Sequence, residues 1–206
     1  MTVRPSVAGL VLAAGEGRRF GGPKALAELD GERLVDRALR VLAEGGCAPL
    51  VVVLGARAAE VRAAARLVGA DVVVADGWAE GMGASLRAGL AALAATPADA
   101  VGAVVVALAD QPRVGADAVA RLRAAWGEGR VTGAAVATYA GERRNPVLLD
   151  RRVWDAVSSL ARGDAGARPW LSTHPESVLP VPCDGTGTWY DVDTREDLAT
   201  LLEESA

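Results

Sequence analysis

Residues 12–24 read Leu12-Ala13-Ala14-Gly15-Glu16-Gly17-Arg18-Arg19-Phe20-Gly21-Gly22-Pro23-Lys24, at the end of an apolar run that begins at Val7. A buried strand that ends in a Gly-x-Gly turn is typical of phosphate-binding loops, because glycines let the backbone approach an anion with its N–H groups facing the ligand. Lys24 closes the segment as the only lysine beside 21 arginines. In a chain that otherwise uses Arg, a single compact ammonium indicates a point contact with a phosphate.

Short apolar runs bounded by glycines recur along the chain, and their continuity is typical of strands buried on both faces. The predicted strands are Val7–Ala13, Leu50–Leu54, Val72–Val74, Val104–Leu108 and Ala134–Thr138. Segments with helical spacing of apolar residues lie between or after them, over Arg33–Glu44, Ala58–Leu67, Ala84–Ala95 and Ala116–Trp126. Strands that alternate with helices predict a doubly wound α/β fold, with a mostly parallel sheet covered by helices on both faces.

The composition limits the classes of partner. A length of 206 residues with 51% hydrophobic residues predicts one domain, residues 1–206, with a substantial core. The net charge of −4 argues against a nucleic-acid binder or a protein of anionic membranes, and the apolar runs are too short to span a bilayer. Positive charge is concentrated near Arg18, Arg19 and Lys24, which suits a small anionic ligand. We therefore expect a soluble cytoplasmic protein.

Two common phosphate-binding motifs fit the glycine-rich segment poorly. A dinucleotide-binding fingerprint needs a third glycine where Phe20 stands, and an acidic residue about 20 positions further on at the end of the next strand. That strand instead ends in Leu54-Gly55-Ala56-Arg57. A P-loop needs Lys directly after its second glycine and then Ser or Thr, whereas Pro23 precedes Lys24 here and Ala25 follows it.

The same segment resembles the signature of the nucleotidyltransferases related to the molybdenum-cofactor enzymes. Further motifs match that family in order, namely Gly81-Met-Gly-Ala-Ser-Leu-Arg-Ala-Gly89, Leu108-Ala-Asp-Gln-Pro112, Arg144-Asn-Pro-Val147, Gly163-Asp-Ala-Gly-Ala-Arg168 and Asp191-Val-Asp-Thr194. Each motif is weak alone, but the ordered set from residue 10 to residue 198 is specific. Leu12-Ala13-Ala14-Gly15 is similar to the CTP-using branch, the molybdenum cofactor cytidylyltransferases. Ala84, Arg144 and Arg195 depart from that branch, which often has Ser, Gly and Pro there.

The resemblance implies a Mg²⁺-dependent transfer of a nucleoside monophosphate from an NTP, with CTP favoured, to a phosphorylated acceptor of the molybdopterin type. It implies a nucleotide-binding part over about residues 1–115, an acceptor-binding part over about 116–206, and a molybdoenzyme or its chaperone as a further partner. The implied catalytic residues are Lys24, Arg18 and Asp110. The implied nucleotide contacts are Leu12, Ala13, Ala14, Gly15, Gly17, Arg18, Lys24, Ser85 and Arg87, and the implied acceptor contacts are Asn145, Asp164, Arg168 and Asp191.

Three carboxylates are candidate metal ligands. Asp110 follows an apolar run, and the carboxyl end of a central strand points into the crevice where such sheets bind ligands, although Asp also caps turns. Asp191 and Asp193 alternate, so an extended segment would turn both toward one side, while Asp193 is also a candidate helix cap before a final helix over Arg195–Glu204. Mg²⁺ prefers a few carboxylates together with substrate phosphate oxygens. The resemblance places the metal at Asp110 and Asp193, with Asp191 in reserve.

The usual acid, base and thiol groups are scarce. His174 is the only histidine, and Cys47 and Cys183 have no histidine partner in sequence. A phosphate monoester is already anionic at neutral pH, so its attack on a phosphorus atom depends on positioning and charge neutralisation rather than on a base. Mg²⁺, Lys24 and Arg18 would supply that neutralisation.

Several residues and the function itself have open alternatives. Ser85 and Arg87 also fit a capped helix with a solvated Arg, Arg168 also fits a loop ion pair with Asp164, and Trp78 is expected at the pocket edge. A transferase for another phosphorylated metabolite keeps the same chemistry. The other alternative is a nucleotide-binding protein of a different class, either an NAD(P)-dependent oxidoreductase or a non-catalytic partner of a cofactor-inserting system.

Overall fold

The computed structural model describes residues 5–204. Within that range the strands are β1 (Ser6–Ala13), β2 (Glu28–Leu29), β3 (Glu32–Arg33), β4 (Leu50–Leu54), β5 (Ala70–Val74), β6 (Val101–Leu108), β7 (Ala134–Tyr139), β8 (Glu142–Asp150) and β9 (Val178–Pro182). The α-helices are α1 (Leu34–Glu44), α2 (Ala58–Ala64), α3 (Met82–Ala94), α4 (Ala116–Gly127), α5 (Trp154–Leu160), α6 (Arg168–Thr173) and α7 (Arg195–Glu203). The predicted domain also includes residues 1–4 and 205–206, which lie outside the described residues.

Seven strands form one sheet in the order β5-β4-β1-β6-β8-β7-β9, within the described part of the chain. The central strand β1 pairs in parallel with both β4 and β6, whereas β8 runs antiparallel to its neighbours β6 and β7. The predicted α/β fold with a mostly parallel sheet is confirmed. The strand order reverses at β1, because the chain first extends the sheet to β4 and β5 and then returns to β6. A crevice opens at the carboxyl ends of the strands at such a reversal.

The sheet separates two apolar layers. Leu39 of α1 and Leu122 of α4 are buried in one cluster, and Leu86 of α3 and Val157 of α5 are buried in the other. Side chains of β1 alternate between the two layers, so this strand is buried on both faces. Gly89 lets α3 approach closely, since a Cβ atom there would lie 2.6 Å from Leu10 Cδ1.

Several predicted boundaries differ from the structure. Helix α2 was expected to reach Leu67 but ends at Ala64, because Leu67 has a φ of +47° and its backbone N–H donates to the Asp36 carboxylate at 2.8 Å. Strands β8 and β9 were not predicted. The first half of β8 is polar and charged, and β9 carries two prolines at the sheet edge, so neither shows a continuous apolar run.

The last helix begins with a capping box. The Thr194 side chain accepts from the Asp197 backbone N–H at 3.2 Å, and the Asp197 carboxylate accepts from the backbone N–H groups of Thr194 and Asp193. The cap of α7 is therefore Thr194, which leaves the Asp193 carboxylate available for another partner. Among residues 5–204 there is no helix long and apolar enough to cross a membrane.

We expect Thr194→Ala to lower the free energy of unfolding by about 1 kcal/mol, because the first turn of α7 loses a backbone partner. Urea unfolding followed by circular dichroism measures the change, which is read from the midpoints when the two proteins share the same slope of unfolding free energy against urea concentration. Thr200→Ala is the matched control, since Thr200 is exposed on the same helix and its hydroxyl donates only to the Glu196 carbonyl. Equal midpoints for the two variants would rule out a stabilising cap.

Candidate active site

The loop that follows β1 is a tight, open turn. Gly17 has a φ of +66°, and its carbonyl accepts from the backbone N–H groups of Gly21 and Gly22 at 2.9 and 3.1 Å. A Cβ atom at Gly17 would come within 1.9 Å of the Gly22 carbonyl oxygen, so this position requires glycine. At Gly15 the corresponding space is empty to 4 Å. The loop therefore leaves its backbone accessible to a ligand beside the end of β1.

Lys24 lies at the centre of the site, at the start of a short 3-10 turn over Lys24–Leu26. Its Nζ atom donates to Asp110 Oδ2 at 2.5 Å and to Asp193 Oδ1 at 3.0 Å. Its side chain is only 20% exposed. We call residues 15–24 the glycine loop. One ammonium thus joins this loop to the end of β6 and to the segment before α7, since Asp110 and Asp193 lie 86 and 169 residues beyond Lys24 in the chain. We call Asp110 and Asp193 the carboxylate pair.

The backbone fixes this arrangement. The N–H of Val192 donates to the carbonyl of Asp110 at 2.8 Å, so residues 191–193 run beside the end of β6. Val192 is fully buried, and the carboxylates on either side of it have different partners. Asp193 contacts Lys24, whereas Asp191 accepts from Gln111 Nε2 at 2.8 Å.

The charges of the site are strongly coupled. Burial alone would lower the pKa of Lys24, but Asp110 and Asp193 outweigh burial and the net pKa is raised. The hydrogen bond from Lys24 lowers the pKa of Asp193, and Arg19 adds to that effect. The pKa of Asp191 is raised, first by partial desolvation and then by the two neighbouring carboxylates. At neutral pH the site therefore holds a protonated Lys24 beside an ionised Asp193.

The carboxylate pair fits a divalent cation that is shared with a ligand. Oxygens of both side chains contact the same ammonium nitrogen, so they already converge on a point occupied by positive charge. In the described part of the chain, His, Cys, Asp and Glu side chains form no group of three or more suited to a metal. A full protein cage is therefore not available there. Mg²⁺ suits two carboxylates, because it takes its other ligands from phosphates and water.

The arginine that contacts the carboxylate pair is Arg19, which the sequence analysis did not select. Arg19 Nη2 lies 2.9 Å from Asp193 Oδ2. Arg18 instead pairs with Glu16 at 2.7 Å and its side chain is 82% exposed. Adjacent arginines on a loop have no periodicity that tells which one turns inward. Phe20, which follows Arg19, is buried in one apolar cluster with Val192, which precedes Asp193, so the loop and this segment share a small core.

The start of α3 forms the opposite side of the crevice. Ser85 is buried in its first turn. Arg87 donates to the Ala161 carbonyl at 2.6 Å and to Glu80 at 2.9 Å, so in this structure it ties α3 to its neighbours. Asp164 Oδ1 accepts from the Met82 N–H at 3.4 Å, at the N-terminus of the helix. The roles predicted for Ser85 and Arg87 in nucleotide binding stay predictions.

The predicted acceptor residues lie in two places. Asp164 and Arg168 belong to the segment that packs near the start of α3, and Arg168 opens α6. Asp191 lies beside Asp110, and half-buried Asn145 lies on β8, the strand that pairs with β6. The end of β6 therefore lies between two candidate acceptor surfaces.

Trp78 packs where β1 and β4 end, and its predicted place at the pocket edge stays a prediction. A Cβ atom at Gly55 would fall 2.5 Å from Trp78 Cβ and 2.7 Å from the Ala14 carbonyl oxygen, so the indole packs over the point where β1 and β4 end. Gly55 is therefore needed for this close approach.

The other polar residues lie outside this centre. The His174 ring stacks on Trp170, with centroids 4.7 Å apart, and its Nδ1 atom lies 3.0 Å from the Trp170 carbonyl oxygen. Burial raises the pKa of Cys47 to about 12, and burial also raises the pKa of Cys183. Such groups are poor nucleophiles at neutral pH.

A cleft of about 450 Å³ lies between α1 and residues 112–116. Its two helix arginines are already engaged, since Arg40 pairs with Glu32 and Glu44 at 2.8 and 3.0 Å, and Arg37 lies 3.8 Å from Glu32. The Lys24 centre differs from this cleft because an ammonium and two carboxylates from distant segments meet there beside the glycine loop, and we therefore take it as the candidate site.

Comparison with known proteins identifies the family of this chain. Residues 9–178 match the family model described as the MobA-like NTP transferase domain. The chain belongs to this family. It is a nucleotidyltransferase of the MobA-like family, as the motifs predicted.

Relatives in this family span the whole chain. A nicotine blue oxidoreductase of Paenarthrobacter nicotinovorans is 40% identical over 203 residues, which cover 96% of this chain and 97% of that protein. A molybdenum cofactor guanylyltransferase of Burkholderia vietnamiensis is 32% identical over 212 residues, 97% of each chain. The crystal structure of Rv0371c from Mycobacterium tuberculosis H37Rv superposes with a TM-score of 0.84 at 33% identity, over 98% of this chain and 99% of the other. Its manganese complex has a TM-score of 0.80 at 31% identity, over 98% and 100%.

Substitutions at the centre should change metal affinity in the absence of nucleotide. We expect Asp110→Asn to weaken Mn²⁺ binding roughly tenfold or more, because one of two carboxylate ligands is lost. Lys24→Met should strengthen Mn²⁺ binding, because the ammonium no longer competes for the same oxygens. Electron paramagnetic resonance, which detects the Mn²⁺ that remains free in solution, measures the Mn²⁺ affinity of both variants.

Arg130→Met is the matched control for a lost positive charge, since Arg130 is exposed and pairs with Glu128. Wild-type affinity in Asp110→Asn would remove this residue from the metal site. Weaker binding in a folded Lys24→Met variant would show that the ammonium supports the cation rather than competes with it.

Proposed function

We propose that this protein transfers a nucleoside monophosphate, with CMP favoured, from a Mg²⁺-bound NTP to a phosphorylated acceptor of the molybdopterin type. The observation that supports this proposal is the single ammonium of Lys24 held by the carboxylate pair beside the open glycine loop. Cations and backbone N–H groups converge there with ligands that suit Mg²⁺, and a triphosphate needs all three.

The proposed reaction needs no base. The acceptor phosphate is already anionic, and one of its oxygens forms a new bond to the α-phosphorus of the NTP. The bond from that phosphorus to the bridging oxygen of the β-phosphate breaks, and pyrophosphate leaves with the electron pair. Lys24 and the loop N–H groups stabilise the negative charge that develops on the departing oxygens. Asp110 and Asp193 would hold Mg²⁺, which when bound neutralises further phosphate charge.

The two loop arginines have different proposed roles. Arg19 holds Asp193 in place through its contact of 2.9 Å. Arg18 is a proposed phosphate contact, because its exposed side chain is paired only within its own loop, with Glu16, and can turn toward a triphosphate. Further proposed nucleotide contacts are Leu12, Ala13, Ala14, Gly15, Gly17, Ser85 and Arg87, and proposed acceptor contacts are Asn145, Asp164, Arg168 and Asp191. A molybdoenzyme or its chaperone is the proposed receiver of the product.

The glycine loop carries the residues from which the preferred base is proposed. Leu12-Ala13-Ala14-Gly15 favours CTP, whereas the relative from Burkholderia vietnamiensis is named a guanylyltransferase, which makes GTP the competing base. We retain CTP because the resemblance rests on residues of the loop itself.

A second candidate function is suggested by the oxidoreductase relative. The 40% identity to nicotine blue oxidoreductase extends over nearly the whole of both chains. Arg57 lies just after β4, and its guanidinium lies near the glycine loop. A Cβ atom built on Gly22 would be 3.4 Å from Arg57 Nη1. An Arg at the end of the second strand suits the 2′-phosphate of NADPH. We rank this function second, because hydride transfer gives no role to the carboxylate pair.

Purified protein assayed with Mg²⁺, each of the four NTPs and a panel of phosphorylated acceptors separates these functions. We expect pyrophosphate release that depends on both acceptor and metal, and that is fastest with CTP. NADPH oxidation with a dye acceptor is measured in parallel. Dye-dependent NADPH oxidation without pyrophosphate release from any NTP would replace the first function with the second.

Lys24→Arg should lower kcat by about 10²–10³-fold, the usual cost of one lost electrostatic contact in a transition state. The charge is kept, but the wider planar guanidinium does not fit between Asp110 and Asp193, and Pro23 restricts the backbone. Lys24→Ala should lose at least as much. Steady-state kinetics should place the loss in kcat more than in KM. Arg130→Lys is the matched control, and full activity of Lys24→Arg would refute the role of the ammonium.

A further inference from the structure

The two edges of the seven-stranded sheet differ in what their outer backbone can bind. Within residues 5–204, β9 ends the sheet on one side and β5 ends it on the other. The outer side of an edge strand carries backbone N–H and C=O groups that no neighbouring strand uses. The residues at these outward positions therefore decide whether a further strand can pair with the edge.

Strand β9 offers no N–H group to a further strand, among the residues that the structure describes. The N–H of Cys183 donates to the Thr138 carbonyl at 2.8 Å, and Thr138 is opposite Pro182 in the register. The outward positions of β9 are therefore Val178, Pro180 and Pro182. Proline has no N–H group, and the N–H of Val178 already donates to a carbonyl of the preceding 3-10 turn. This edge of the sheet is blocked.

Strand β5 keeps its outward donors. The N–H of Ala75 donates to the Leu54 carbonyl at 2.8 Å, and Leu54 is opposite Val74 in the parallel register, so the backbone of Val74 faces outward. Backbone groups alternate in direction along a strand, so Val72 faces outward as well. In the part of the chain that the structure describes, no turn carbonyl accepts from either N–H. We call the outward N–H and C=O groups of Val72 and Val74 the β5 edge.

The side chains of β5 also suit a further strand. Val72 packs against one apolar layer and Val73 against the other, whereas Val74 is 43% exposed. Natural edge strands are usually protected by Lys, Pro or a bulge, and β5 has none of these. The chain thus blocks one edge of its sheet with prolines and leaves valines, which favour extended structure, at the other.

We propose that the β5 edge pairs with the β5 edge of a second copy of this chain, in an antiparallel ladder about a two-fold axis at Val73. Val72 of each copy then lies opposite Val74 of the other, and each such pair exchanges both of its N–H···O bonds. A two-fold interface must be self-complementary, and this one is, because the same two valines provide every donor and acceptor. The two sheets become one continuous sheet.

The proposed register keeps like charges apart. Asp71 is the one charged residue of β5, and it lies opposite Ala75 of the other copy rather than opposite its own counterpart. The two Asp71 residues are offset along the strands by roughly 13 Å, the rise of the residues from 71 to 75. Because like charges directly opposite in a sheet are destabilising, this offset favours a second copy as the partner.

A register centred on Val72 would use the edge less well. It would place Ala70 opposite Val74, but the Ala70 N–H already donates to the Leu67 carbonyl at 3.2 Å. The register centred on Val73 needs only the groups of the β5 edge. We therefore assign the two-fold axis to Val73.

The pairing leaves the two candidate active sites separate. The glycine loop follows β1, and β4 lies between β1 and β5. Because the paired strands run antiparallel, the carboxyl ends of the two sheets, and with them the two glycine loops, face opposite ends of the assembly. The inference therefore does not rest on the proposed function.

Sedimentation equilibrium of the full chain over a range of concentrations tests the pairing. We expect a reversible equilibrium between monomer and dimer. Val72→Pro removes one outward N–H from each copy, as proline does in β9, and should raise the Kd of the dimer roughly tenfold or more. Val74→Lys leaves the backbone unchanged and places a charge on the interface, and it should also weaken the dimer.

A matched control separates the edge from a general effect of charge. Leu160→Lys adds the same charge at another exposed apolar side chain, on α5, and should dimerise as the wild type does. Circular dichroism and urea unfolding verify the fold of each variant. Since Val74 is partly exposed, Val74→Lys tests the edge even where Val72→Pro does not fold.

A cysteine at the two-fold axis tests the register. In the proposed ladder the two Val73 residues form a non-hydrogen-bonded pair with Cα atoms roughly 4.5 Å apart, which is within the range of a disulfide. Val73→Cys should therefore give a covalent dimer on mild oxidation, whereas Leu160→Cys should not. The native Cys47 and Cys183 are buried and do not compete.

The outcomes decide the inference. A wild-type chain that stays monomeric up to millimolar concentration overturns it, and so does a dimer whose Kd is unchanged in the folded edge variants. A dimer that Val73→Cys does not cross-link overturns the antiparallel pairing at this residue. A dimer that the edge variants weaken, that Leu160→Lys leaves intact and that Val73→Cys cross-links supports the inference.

Discussion

The contact of one ammonium with two carboxylates holds the candidate active site together. Lys24 is mostly buried between Asp110 and Asp193, and these residues belong to segments far apart in the chain. Without the ammonium, two negative charges would converge on one point, which is unfavourable. The same convergence is what a divalent cation requires. The site is therefore arranged around a position that must hold positive charge, whether an ammonium or a metal occupies it.

The sheet determines where that position lies. Asp110 ends β6 beside β1, and the glycine loop begins where β1 ends, so two parallel strands bring both to one edge. The third member, Asp193, comes from outside the sheet. The N–H of Val192 donates to the Asp110 carbonyl and Thr194 caps α7 immediately afterward, so the segment that carries Asp193 is held beside the end of β6. Since Thr194 caps the helix, Asp193 is not needed as a cap. The cap is thus the neighbour of Asp193, whose carboxylate contacts Lys24 and Arg19 instead.

The sequence predicted the parallel half of the molecule well and the details of the site only in part. Continuous apolar runs mark strands that are buried on both faces, so Leu50–Leu54 was predicted with its observed ends. Strand β8 lacks that signal, because its first residues are charged and face outward. Arg19 contacts Asp193, and the order of residues does not show this pairing. The family motifs predicted which residues belong together, while tertiary contacts decided their partners.

A phosphate-binding loop on this fold does not specify a reaction, and members of one family carry names from two classes of enzyme. A dinucleotide and a triphosphate both need the backbone N–H groups and cations that the loop provides. Only phosphoryl-type transfer also needs groups that hold a metal against departing pyrophosphate. In this chain Asp110 and Asp193 converge on the Lys24 ammonium, and Asp191 lies beside them and accepts from Gln111. The carboxylates rather than the glycines therefore favour transfer, because the glycines alone would suit either function.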